Sequence, residues 1–199
     1  MAHIGMKYPV AAPWKEGNTY EKGFVIGKAI NFTGTPNKNE VDLYADDGVA
    51  ETDKSTKDWG TSLNVDDLEL KVQADLLGHT YVEADATAGS SEGMEIGADD
   101  VAPYFGEGFY KRRRKNNVTS FTAIWLYKVQ HSEPTENAET KGENVNFQTA
   151  TIEGKAYPVE VKNDAGETKM SFGQKKVFTT EAAAKAWLNT MAGITAAAS

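Results

Sequence analysis

Apolar and other side chains alternate along most of this chain, and a period of two places successive side chains on opposite faces of a strand. In 23–32, Phe24, Ile26, Ile30 and Phe32 share one face, with Lys28 as the exception, which predicts a strand buried on at least one side. In 119–129, Phe121, Ala123, Trp125, Tyr127 and Val129 share one face and Ile124 and Leu126 the other, the pattern of a central strand. Further strands are expected at 101–112, 145–153 and 169–178, each bounded by Gly, Asn, Asp or Pro clusters. The spacing predicts an antiparallel sandwich.

Two helices interrupt the sheet pattern. Leu68, Val72 and Leu76 recur at intervals of four, so a helix is expected near 66–77, with Asp66 and Asp67 at its positive end and Gly78 closing it. A second is expected at 181–192, capped by Thr180, with an apolar stripe of Ala184, Trp187, Leu188 and Met191 to pack on the sheet, and Gly193 as stop. Residues 45–58 carry many charges and little apolar content, which predicts a long exposed loop; 131–143 reads as a polar connector and 162–168 as a hairpin tip. Residues 1–20 are broken by Pro9, Pro13 and Gly17 around Tyr8 and Trp14, and are expected to form an arm that docks elsewhere. The reading is a mainly β protein with two α-helices: one domain over 21–194, after that arm and before a frayed tail at 195–199.

The length of 199 residues fits one domain, and 40% hydrophobic residues are enough for a core. A formal charge of -8 makes the chain as a whole repel phosphate, which argues against a sequence-reading DNA binder. The chain has no cysteine, so disulfides and thiolate metal sites are excluded, and neither a membrane-spanning run nor a signal peptide is visible, which predicts synthesis in a cytoplasm.

Little in the sequence points to catalysis or to a cofactor. His3, His79 and His131 are scattered, with no zinc-type spacing, and His79, just after a helix stop, reads as a surface residue or a strand start. Asp46-Asp47-Gly48 and Asp99-Asp100 lack the alternating oxygen ligands of a calcium loop, and Gly106-Glu107-Gly108 lacks the third glycine of a dinucleotide fingerprint and reads as a strand bend. The basic cluster Lys111-Arg112-Arg113-Arg114-Lys115 runs into Asn116-Asn117, a turn signal, so it is expected to span a hairpin end, where it makes a natural partner for an acidic loop on a neighbouring subunit.

Four stretches, in this order, carry a resemblance: Gly5-Met6-Lys7-Tyr8-Pro9-Val10-Ala11; Leu43-Tyr44-Ala45-Asp46-Asp47 with Ala50-Glu51; Ala98 to Phe109, reading Ala-Asp-Asp-Val-Ala-Pro-Tyr-Phe-Gly-Glu-Gly-Phe; and Thr140 to Thr149, reading Thr-Lys-Gly-Glu-Asn-Val-Asn-Phe-Gln-Thr. Together with Thr151-Ile152-Glu153-Gly154 and the Ala-Lys-Ala-Trp-Leu of the last helix, they resemble the major tail protein family of siphoviruses infecting Gram-positive bacteria. The resemblance implies a β-sandwich of the phage tail-tube type, flanked by a helix, whose subunits form hexameric rings stacked into a tube in the virion. It also implies tape-measure and tail-tip proteins as partners, double-stranded DNA passing through unbound, and no catalytic residue, metal or cofactor. Arg112, Arg113 and Arg114 are then candidate inter-subunit contacts, with Asp46, Asp47, Glu51, Asp53 and Asp58 as their acidic counterparts and the acidic excess facing the DNA path. Competing expectations are the tube protein of a bacterial contractile secretion system, and a surface carbohydrate-binding sandwich using Trp14, Trp59, Tyr81 and Tyr104.

Overall fold

The structure is a computed structural model that describes residues 2–39, 41–45, 48–87, 89–135, 149–162 and 166–195. Those residues are mainly β, with antiparallel pairing and two helices. The chain runs through β1 (Ala2–Lys15), β2 (Thr19–Tyr20), β3 (Phe24–Val25), β4 (Ala29–Lys38), β5 (Val41–Ala45), β6 (Gly48–Asp53) and β7 (Thr56–Val65) to α1 (Leu70–Leu77). It continues through β8 (Thr80–Val82), β9 (Gly93–Glu95), β10 (Tyr104–Lys115), β11 (Val118–Ser132), β12 (Ala150–Ala156), β13 (Val159–Lys162), β14 (Thr168–Ser171) and β15 (Gly173–Phe178) to α2 (Glu181–Ala192).

The main sheet has nine strands and folds into two layers on β11. The first half of β11, the central strand its pattern predicts, pairs with β10 and β15, and its last four residues pair with β12. Between those parts the register slips: Phe105 and Glu107 of β10 face Val129 and Leu126 of β11, a bulge where Gly106 lets the ladder bend. β1 extends the first layer beyond β10, and β12, β7 and β4 form the second. Ala11 and Phe105 of the first layer meet Leu63, Val65 and Ile152 of the second and Ile26 of the β3–β4 connection, and Val72 and Leu76 of α1 close that core at one end. On the outer face of the first layer, Ala184, Leu188 and Ala192 of α2 pack on Val10, Tyr110, Phe121, Ala123 and Trp125.

α2 has the expected bounds: Thr180 accepts a hydrogen bond from the Ala183 N–H, and Gly193 takes the left-handed φ of 62°. α1 starts later than expected, at Leu70, although Gly78 closes it as expected with a φ of 80°. Asp66 is drawn away instead, accepting from the Lys28 N–H at 2.9 Å and pairing with Lys28 Nζ at 3.2 Å.

Other corrections concern strands. Residues 1–20 are no separate arm: β1 pairs with β10 from Ala2 to Pro13, and Val10, Ala11 and Ala12 are fully buried. The stretch 23–32 is split into β3 and the start of β4. The expected loop at 45–58 holds β6 and the start of β7, which with β4 and β5 make one long antiparallel hairpin from Ala29 and Val65 to Ala45 and Gly48. The expected strand over 169–178 is present as β14 and β15, and 162–168 does connect a hairpin, β13 to β14. Residues 136–148 of the connector and its following stretch, and 196–199 of the tail, lie outside the described residues.

Candidate functional site

The basic run is a strand. Asn116 and Asn117, with φ of 49° and 61°, make the two-residue turn that joins Lys115 to Val118, and the mirror-image turn geometry requires left-handed residues at both positions. The pleat then divides the cations between faces. Arg112, opposite Ile4 and Phe121, borders a small cavity on the α2 side with Lys7, Tyr110 and Glu181. There the Tyr110 hydroxyl donates to Glu181 at 2.5 Å and Lys7 Nζ donates at 3.2 Å; these bonds hold the Glu181 carboxyl below its ordinary range. Arg114 donates to the Asn117 side chain at 3.4 Å, and Arg113 stands opposite His3 and Ser120.

Lys111, on the other face, lines a groove of about 720 Å³ between the two layers. Phe109, Ile124 and Leu126 of the first layer and Phe32 and Trp59 of the second contribute its apolar wall. Lys175 of β15 borders it too, with Nζ 6.0 Å from the centre of the Trp59 ring. Burial, and then the Lys175 charge, lower the Lys111 pKa, so the rim of this groove is electropositive and partly desolvated. Two strands bordering it, β4 and β15, are each paired on one side only among the described residues, and Ile30, Met170 and Val177 are about half exposed or more at 49%, 60% and 60%.

The acidic candidates do not behave as one group. Asp46 and Asp47 lie outside the described residues. Glu51 and Asp53 occupy β6, opposite Leu43 and Val41. Asp58 is no loop carboxylate: it is buried at 6% exposure in β7 and accepts from the Asn37 side-chain amide at 2.6 Å. The long hairpin separates its charges by position. Residues 40–53 contain Glu40, Asp42, Asp46, Asp47, Glu51 and Asp53 and no lysine or arginine. Beyond the Asn39 N–H bond to the Ser55 carbonyl at 2.8 Å, the backbones of β5 and β6 lie against each other and, among the described residues, close to little of the main sheet, so they extend away from it.

No protein-family model and no curated protein matches this chain.

The histidines occupy places that their sequence context hid. His79 is buried, with Nδ1 2.8 Å from Asp100 Oδ2, and Glu133 Oε1 lies 2.9 Å from Nε2 without the alignment of a hydrogen bond. That His79 bond, with the Gly97 N–H, lowers the Asp100 pKa. The expected surface position is therefore wrong: His79 ties the end of α1 to the loop before β10. His131 is buried beside Glu107 between the two layers of the sheet. Among the described residues no three His, Asp or Glu side chains are grouped to hold a metal ion, and no helix is long and apolar enough to cross a membrane.

The aromatics that a carbohydrate site would use are dispersed. Trp14 and Tyr104 meet edge to face at 6.0 Å, but Lys128 Nζ sits 4.2 Å and 4.1 Å from their ring centres and covers them. Trp59 stacks on Phe172 in the groove, and Tyr81 donates to Glu92.

Proposed function

We propose that this chain is the major tail-tube subunit of a long-tailed bacteriophage, forming six-membered rings that stack into the conduit for viral DNA. The observation that carries this reading is the pairing of two unequal surfaces on one molecule: an acidic hairpin that leaves the domain, and an electropositive groove bordered by half-paired strands. The end of the hairpin, residues 40–53, with six acidic residues and no basic one, gains little by packing on its own acidic domain. Set against Lys111 and Lys175 of a neighbouring copy, its charge is complementary, and the contact is heterologous, so it repeats from subunit to subunit. Edge strands β4 and β15 offer a second way to join copies. The sequence resemblance supplies the identity of the assembly, and with it the tape-measure and tail-tip partners and the place in the virion. The tube of a contractile secretion system shares the surface logic and differs in genetic context, where tape-measure and tail-chaperone genes beside this one favour the phage reading.

Net acidity also fits a conduit. Duplex DNA carries one charge per about 1.7 Å of axis, so a basic lumen repeated around every ring would hold the polyanion along the whole tube. The cations of β10 and β15 therefore belong at subunit contacts, away from the DNA path. Reversing both Lys111 and Lys175 to Glu is expected to leave the fold intact, because both side chains sit on the rim, and to reduce the polymerised fraction in sedimentation at least tenfold at low salt. Unchanged polymerisation would remove the groove from the interface.

A further inference from the structure

Glu107 and His131 are two titratable groups in the interior between the layers, each with a side chain 1% exposed. Their nearest approach, Nε2 to Oε2, is 4.0 Å, and neither carboxylate oxygen and neither ring nitrogen has a hydrogen-bond partner among the described residues. The elements packed around them present uncharged groups: Phe105 of β10 against the His131 ring, Ala11 of β1 opposite Glu107, Thr61 of β7 and Gly154 of β12 beside His131. Among the described residues no titratable side chain of those strands, Asp58 of β7, Glu153 and Lys155 of β12, Lys111 of β10 and Lys128 of β11 among them, adds a charge interaction to either group. An isolated charge there would lose its hydration with little in return, the Glu153 backbone offering only a partial offset to His131, so burial favours the neutral form of both groups.

We propose that Glu107 and His131 act as one proton-holding pair: in the folded subunit the carboxyl keeps the proton and the imidazole is neutral, whereas in the unfolded chain at weakly acidic pH the imidazole keeps it. A closing movement of about 1 Å would let the carboxyl donate to the neutral ring nitrogen, since such bonds span about 2.7–3.0 Å. Folding then moves a proton from His131 to Glu107 with no net uptake or release, and the stability of the sandwich is insulated from pH across the interval in which the two groups would each make it vary.

The two contributions have opposite signs. Burial raises Glu107 from 4.5 to about 7, so its contribution is full below pH 4.5 and is lost as pH rises towards 7. Burial lowers His131 from 6.5 to about 4, with the Glu153 backbone opposing it, so its contribution is full above pH 6.5 and is lost as pH falls towards 4. Between 4.5 and 6.5 folded and unfolded chains each hold one proton on the pair, and the slopes cancel.

Urea unfolding of the full chain from pH 4.5 to 6.5 tests this, comparing wild type with Glu107→Gln and His131→Gln. Relative to wild type, the Glu107→Gln folding constant should rise with pH, and the His131→Gln constant fall, each by up to about tenfold per pH unit and on the order of a hundredfold across the interval. A variant whose pH profile runs parallel to wild type overturns the proposal. Should either variant fail to fold, carboxyl and imidazole NMR shifts of labelled wild-type protein at pH 6 decide it: a protonated Glu107 and a neutral His131 support the pair, and an ionised pair contradicts it.

Discussion

Removing residues 40–54 and joining Asn39 to Ser55 through an Asn-Gly turn should yield a subunit that folds normally and does not polymerise. Asn39 and Ser55 already face each other across the hairpin, so a two-residue turn closes the strands without shifting the register of β4 on β7. No described core residue is lost, since Phe32, Trp59, Leu63 and Val65 all lie outside the deleted residues. The thermal midpoint is expected to stay within a few degrees of wild type, while the polymer should disappear from sedimentation profiles. What goes is up to about 25 Å of acidic hairpin beyond Ser55, about seven residues per strand at about 3.3 Å each. A variant that polymerises at the normal rate would show that the hairpin is not an assembly element.

The largest loss of stability is expected for Trp125→Ala. Trp125 is fully buried at the centre of the layer beneath α2, with the Tyr20 ring edge-on to it at 5.2 Å. Two glycines make room for it: a Cβ on Gly106 or Gly108 would come within 2.4 Å or 2.5 Å of its ring. With that ring gone, Val10, Phe121 and Leu188 would line a cavity that the rigid sheet cannot collapse, for a cost of about 3–5 kcal/mol by urea unfolding. A cost below about 1 kcal/mol would mean that α2 contributes little to the fold.

What the sequence revealed follows from how local each signal is. α2 carries its own cap, stripe and stop, and Asn116-Asn117 carries its own turn, so both needed no knowledge of the rest of the chain. β1 was hidden by Pro9, Pro13 and Gly17, which normally speak against a central strand. Pro9 is absorbed by an irregularity, since the register shifts between Lys7 and Val10 and Tyr8 takes a φ of 60° there, and Gly17 lies beyond the end of the strand at Lys15. The Tyr8 hydroxyl is then bonded to Asn189 of α2 at 2.7 Å, a contact between residues far apart in the chain. β6 was missed because Gly48 to Asp53 carries charges and little apolar content, so the strand shows itself only through its pairing with β5. Lys175 was missed at the candidate site because its meeting with Lys111 depends on the pairing of β15 with β11. The burial of His79, Glu107 and His131 likewise depends on layers that form only in the complete fold.

Electron microscopy of the concentrated full-length protein, alone and with its tail-tip proteins added, tests the tube assignment most directly. The account predicts hollow tubes whose end views show sixfold rings, and a protein that remains monomeric under both conditions would contradict it.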